Sequence, residues 1–217
     1  MQDITKAYQN VIALFKQNLA SPKTMGPEGQ GNVAAATQDL LVTLLPYLSS
    51  ADASALFKLC LWPEVLNHSD NGVQKRGYKI LGKLVESGKV SVEPEEVLKR
   101  LDELADGLLA AAKKDRFHVL SLVVQRIPAS SMHLIPSLIP ETVLGTKEPS
   151  EKARGAAFDL IVSMGRKMSE GGVVKRGMVD GMEEDGAEEG SFGSNSIHPI
   201  MLKAGHQRLQ VWRSMSP

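Results

Sequence analysis

One cysteine, Cys60, is all the thiol chemistry that the 217 residues offer. A lone thiol excludes an internal disulfide and a cysteine-built zinc site, and it fits a reducing compartment. An excess of one charge is also missing. The 25 Lys and Arg are matched by 25 Asp and Glu, so no global charge marks the chain for nucleic acid or a membrane surface. Any electrostatic binding must come from how the charges are placed. Long apolar runs are lacking too: the longest, around Leu40 to Leu45, is far too short to span a bilayer. Met1-Gln2-Asp3 begins no basic-then-apolar leader. A soluble intracellular protein with no membrane partner is expected.

Alternation with period two is absent as well, which argues against strands. What is present is helical spacing, in a chain 42% hydrophobic and 23% charged. Ile4, Tyr8, Val11, Ile12, Phe15 and Leu19 mark a first helix, closed by Ser21-Pro22 and a Gly/Pro-rich loop at 21–31. A second runs from about Asn32 to Leu48, and a third carries Leu56, Phe57, Leu59, Cys60 and Leu61 before Pro63. Asp70-Asn71-Gly72 is a turn that opens a fourth, with Val73, Gly77, Ile80, Leu81 and Leu84. Pro94 with Glu95 and Glu96 starts another, since proline suits the first turn and acids favour the N-terminal dipole. Its stripe is predicted to continue through Leu104, Ala105, Leu108 and Leu109. Further helices cover Arg116 to Arg126, Met132 to Leu144 with a kink at Pro136 and Pro140, and Pro149 to about Met168.

Short connections make neighbouring helices antiparallel. A closed bundle and a stack remain to be separated, and self-similarity favours the stack. Val73 to Leu81 lies over Ala153 to Ile161, with Gly77 on Ala157, Tyr78 on Phe158, Ile80 on Leu160 and Leu81 on Ile161. That offset is two units of the roughly 40 residues of a HEAT repeat. The unit between, around Lys113-Lys114-Asp115-Arg116-Phe117, matches less well. The expected architecture is all-α: antiparallel helix pairs stacked as a HEAT/armadillo-like α-solenoid over 1–168. Gly171-Gly172, Glu183-Glu184-Asp185 and Glu188-Glu189 then predict a disordered Gly/acidic tail over 169–217. Ile197, Ile200, Met201, Leu202, Leu209, Val211 and Trp212 permit a short helix near 199–213, with little to pack on.

Nothing in the sequence assembles a catalytic site. His68, His118, His133, His198 and His206 are scattered, and Cys60 with His68 is too small a ligand set for a metal. No phosphate-cradling glycine loop occurs, and no Ser/His/Asp trio sits in an activating context. Leu59 and Leu61 around Cys60 point to a buried, inert thiol. An enzyme, a cofactor and a small-molecule substrate are therefore not expected.

The cations carry more information. Lys75, Lys79 and Lys83 stand at i, i+4 and i+8, opposite the apolar face of their helix, with Arg76 beside them and Glu86 near the end. Lys113, Lys114 and Arg116 open a later helix, and Lys147, Lys152 and Arg154 open another. In a stack, corresponding ends line up, so these ten residues either form a basic ridge for RNA phosphates or are solubilising surface.

Asp70 to Leu81 and Glu148 to Leu160 resemble the HEAT region of the ribosomal RNA-processing protein twelve family in a fungal-like version. Ile135-Pro136-Ser137-Leu138-Ile139-Pro140-Glu141, followed by Leu144 and Lys147-Glu148, resembles the same region. The likeness spans about Asn32 to Glu184. Family proteins extend on both sides of it, so a segment of a longer array is expected, with a divergent ending beyond about Glu189. The resemblance implies a nuclear and nucleolar factor that binds pre-ribosomal particles and RNA, helps mature ribosomal RNA and assists subunit export. It also implies ribosome assembly proteins and the Ran GTPase and export machinery as partners. The competing expectation is a HEAT-type scaffold or transport adaptor that binds protein alone.

Overall fold

A computed structural model of the chain describes residues 2–20 and 33–172. The expected loop at 21–31 and nearly all of the expected tail, with its short helix near 199–213, lie outside those residues. Among them no strand occurs, and nine α-helices follow in order. They are α1 Gln2–Ala20, α2 Val33–Leu44, α3 Ser50–Cys60, α4 Pro63–Leu66, α5 Asn71–Glu86, α6 Pro94–Glu103, α7 Lys113–Val124, α8 Ile139–Gly145 and α9 Glu151–Glu170. The last helix therefore runs two residues past the predicted boundary at 168.

Local caps set these ends, and those at Asp70 and Pro94 are where the sequence places helix starts. Ser49 Oγ accepts the Asp52 N–H before α3, and the Asp70 carboxylate accepts the Gly72 and Val73 N–H groups at 2.8 and 3.0 Å before α5. Pro63 and Pro94 occupy first-turn positions, where a missing N–H costs nothing.

Four helices, α2, α5, α7 and α9, pack one against the next as a spine. Their starts fall about 40 residues apart, the HEAT period. One side of the spine is covered in turn by α3 with α4, by α6, and by the Ala129–Leu138 3-10 segment with α8. Helix α1 closes the first end against α2. The architecture is the expected helical solenoid.

Register is shared across the spine. Val73 and Ala153, Gly77 and Ala157, Ile80 and Leu160, Leu84 and Met164 are buried at matching positions of α5 and α9. A Cβ on Gly77 would lie 2.6 Å from Val65 Cγ1 of α4, so the small residue lets two helices of one repeat touch. Ala157 meets Gly145 of α8 in the same way. In α7 the aromatic place is taken by Phe117, and the small place holds Arg116, which is why the middle unit matches less well.

One predicted helix is shorter than its stripe. Helix α6 stops at Glu103, and Ala105–Gly107 and Ala110–Ala112 form separate 3-10 turns. Gln74 of α5 is the cause: its amide donates to the Gly107 carbonyl at 2.7 Å and accepts the Leu109 N–H at 2.8 Å. Those backbone groups are then unavailable to a continuing helix. The break expected at Pro136 and Pro140 is present, as the 3-10 segment that hands over to α8.

Candidate nucleic-acid interface

Helix α5 buries Val73, Gln74, Gly77, Tyr78, Ile80, Leu81, Gly82, Leu84 and Val85, and its lysines lie on the opposite face. Lys75, Lys79 and Lys83 are exposed, one helical turn apart. Among the described residues none of the three is in an ion pair. Arg76 turns the other way, and its Nε donates to Asp39 Oδ1 of α2 at 2.8 Å. That hydrogen bond, helped by the charges of Arg76 and nearby Lys79, holds the Asp39 carboxyl below its ordinary range. Glu86, at the end of the stripe, meets His118 Nε2 of α7 at 2.8 Å rather than a lysine.

Lys114 is exposed on α7 at the register of Lys75, with Asp115 Oδ1 at 3.9 Å. Lys113 instead reaches Glu148 and ties the start of α7 to the connection before α9. Lys147 and Lys152 are exposed at that connection. Arg154 is half-buried and donates through Nη1 to the Glu148 and Pro149 carbonyls at 2.8 and 2.9 Å.

Arg116 does not belong to a surface ridge. It is 1% exposed, and it grips Glu141 with two parallel bonds of 2.6 and 2.9 Å. Its Nη1 donates to the Leu101 carbonyl at 2.8 Å and to the Tyr78 hydroxyl at 3.3 Å. The bonds to Glu141 outweigh desolvation and push the guanidinium still further toward the charged form. Burial raises the Tyr78 hydroxyl, while the charge of Arg116 opposes the rise. The continuous ridge read from sequence is corrected accordingly. Three arginines and Lys113 are committed to internal partners, and six lysines remain at the surface. On α9 the register positions of Lys75, Lys79 and Lys83 hold Gly155, Asp159 and Ser163, so the stripe ends with α5 and the start of α7.

A second set of cations, not singled out from sequence, sits at the opposite ends of the spine helices. Lys89 Nζ donates to the Pro46 and Leu48 carbonyls at 2.7 and 2.9 Å, Arg126 Nη2 to the Val85 carbonyl at 2.6 Å, and Lys167 Nζ to the Gln125 carbonyl at 3.2 Å. Arg126 and Lys167 thus supply a charge to the negative, C-terminal end of the preceding spine helix, and Lys89 does so at the 3-10 turn that follows α2. The signal was a cation recurring at nearly the repeat period after each apolar stripe.

Among the described residues no group of three metal-ligating side chains is found, and no helix is long and apolar enough to cross a membrane. Cys60 is fully buried, and burial pushes its thiol up to about 12.

No protein-family model matches the chain. Individual proteins do. Ribosomal RNA-processing protein 12 of Saccharomyces cerevisiae is 29% identical over 88% of this chain and 16% of its own length. The putative ribosomal RNA-processing protein 12 of Schizosaccharomyces pombe is 34% identical over 59% of this chain and 11% of its own. The human RRP12-like protein is 32% identical over 67% of this chain and 12% of its own. The chain therefore spans between 11% and 16% of the length of these relatives. The S. cerevisiae match also covers a larger share of it than the stretch 32–184 that carries the resemblance. Homologues named ribosomal RNA-processing protein 12 or RRP12-like cover much of this chain at about 30% identity, and they are the family its repeat motifs resemble.

Proposed function

We propose that this chain is a segment of a ribosome-biogenesis factor that acts in the nucleus and nucleolus by binding, with no catalysis of its own. Its relatives carry ribosomal RNA processing in their names, which supports the biogenesis role. The observation that carries the reading is the stripe of Lys75, Lys79 and Lys83, exposed and outside any ion pair among the described residues, with Lys114 beside it. A neutral protein can hold RNA through such a stripe, because each phosphate that a lysine neutralises releases condensed counterions. Contacts of this kind fix position without reading bases, so binding to structured pre-ribosomal RNA is expected to be weak and nearly indifferent to sequence. Assembly and export proteins would supply the specificity of the whole particle.

The test is fluorescence anisotropy with a structured ribosomal RNA fragment over a salt series. Replacing Lys75, Lys79 and Lys83 together by Glu should weaken binding to every RNA tried. It should also flatten the log–log salt slope by about 2, since each lost phosphate contact removes roughly 0.7–0.9. The helical circular-dichroism signal should stay as it is. If the triple variant binds like the parent at low salt, the stripe is solubilising surface and the protein-binding scaffold is the better reading.

A further inference from the structure

Large apolar side chains are left exposed unevenly along the stack. Among the described residues twelve stay exposed, and six of them, Ile139, Val143, Leu144, Phe158, Ile161 and Val162, belong to α8 and α9. Those on α9 fall into a pattern. Gly155, Phe158, Val162, Gly165 and Ser169 are all exposed, at alternating spacings of three and four residues, which is the seam of a two-helix pair. Phe158 is 54% exposed and Val162 57%. A Cβ added at Gly155 or Gly165 would meet nothing within 4 Å, so both glycines leave hollows on the outer surface. On α5 the places of Phe158 and Val162 are taken by Tyr78, fully buried, and Gly82, which approaches His118 and Val119 of α7. The equivalent face there packs against a helix, and on α9 no described element covers it.

We propose that a second copy of this chain occupies this face, the two α9 helices packing antiparallel about a two-fold axis. Shape and charge both choose that occupant. Gly155 and Gly165 lie equally far outside Phe158 and Val162, so the seam reads small, large, large, small in either direction. Inverted on itself, it sets Phe158 against Val162 of the second copy and glycine against glycine, where the backbones can approach closely. A two-fold interface has to be self-complementary in this sense. Lys152, Asp159, Arg166 and Glu170 run along one flank of the seam, all exposed, and among the described residues none of the four is in an ion pair. Their signs alternate. Read in opposite directions, the row pairs Lys152 with Glu170 of the second copy and Asp159 with Arg166 of the second copy, twice over by symmetry. Helix α9 has 20 residues, at the low end of the about 20–30 a side that specific interfaces use, so the dimer is reversible rather than obligate. The contact does not call on the lysine stripe of α5.

Sedimentation velocity of the full-length protein, free of RNA, over a concentration series tests this. The parent should pass from monomer to dimer as concentration rises. Phe158→Asp with Val162→Asp, at two exposed positions, should hold it monomeric with an unchanged circular-dichroism spectrum. The charged flank gives a sharper test. Asp159→Arg alone and Arg166→Asp alone each set like charges together across the two-fold, so each should self-associate several-fold more weakly than the parent. Mixed in equal amounts, the two variants restore opposite signs at both places, and a heterodimer should form at least as tightly as the parent dimer. A parent that stays monomeric at every concentration overturns the proposal. So does a dimer that survives the double aspartate variant, or a mixture that associates no better than its two components.

Discussion

Arg116 and Lys79 carry the same charge and end in opposite roles, because their neighbours differ. Lys79 lies among water-facing positions, whereas Arg116 occupies the place that Gly77 and Ala157 hold in the flanking repeats. A guanidinium fills that place because four of its bonds are satisfied by Glu141, Leu101 and Tyr78. Removing the charge leaves the Glu141 carboxylate without its partner, so Arg116→Met should destabilise the fold by about 3 kcal/mol in urea titration. Arg116→Lys should recover only part of that, since an ammonium cannot make the two parallel bonds. Lys113→Ala, at a partly exposed pair, should cost less than about 1 kcal/mol.

The buried hydroxyl and thiol give a pH signature at the same scale. Burial pushes Cys60 from 9.0 to about 12, and burial followed by the Asp52 charge pushes Tyr8 from 10.0 to about 12. Both groups hold their protons longer when folded than when unfolded. Their contribution is therefore complete below about pH 9 and is lost between about pH 9 and 12 as only the unfolded chain ionises. Urea midpoints across that window should fall for the parent and fall less steeply for Cys60→Ala. Identical slopes would show that the thiol takes no part. In the native state at pH 8, Cys60 should also resist thiol reagents that label it readily in urea.

At the scale of the element, most of the fold was legible and the exceptions share a cause. Helical periods, the Asp70 and Pro94 starts and the break at Pro136 follow from forces local to each segment. The early end of α6 does not, because it depends on Gln74, more than 30 residues away, which takes the backbone groups that the apolar stripe of 104–109 would have used. Burial of Arg116 was hidden in the same way, since its partner Glu141 lies 25 residues on. The lysine stripe was legible because three residues on one helix face decide it alone. Its continuation along the stack was not, because that depends on which cations other repeats consume. The small positions support a further prediction. Ala157→Leu, forced against Gly145, should cost roughly 1–3 kcal/mol by overpacking, while Gly155→Ala, which meets open space, should be neutral or slightly stabilising. A neutral Ala157→Leu in thermal or urea unfolding would place the shared register elsewhere.

At the scale of the molecule, the main packing of the described spine is neighbour to neighbour, so its cooperativity rests on each seam in turn. The α5–α7 seam joins the half built on α1 and α2 to the half built on α8 and α9. Arg126 bridges it by donating to the Val85 carbonyl while holding Leu122 of its own helix. Arg126→Met keeps most of the side-chain volume and removes both donors, leaving the end of α5 without its cation. Single-site stability should drop by about 1.5–3 kcal/mol, the range for a hydrogen bond to a charged group. The more diagnostic change is in shape: a weakened seam lets the halves open separately, so the urea transition should broaden and its slope should fall. Native-state hydrogen exchange should then divide the stack, with α7 and α9 protected by a different free energy from α2 and α5. An unchanged slope with a merely lower midpoint would mean that apolar packing across the seam suffices to make the stack unfold as one.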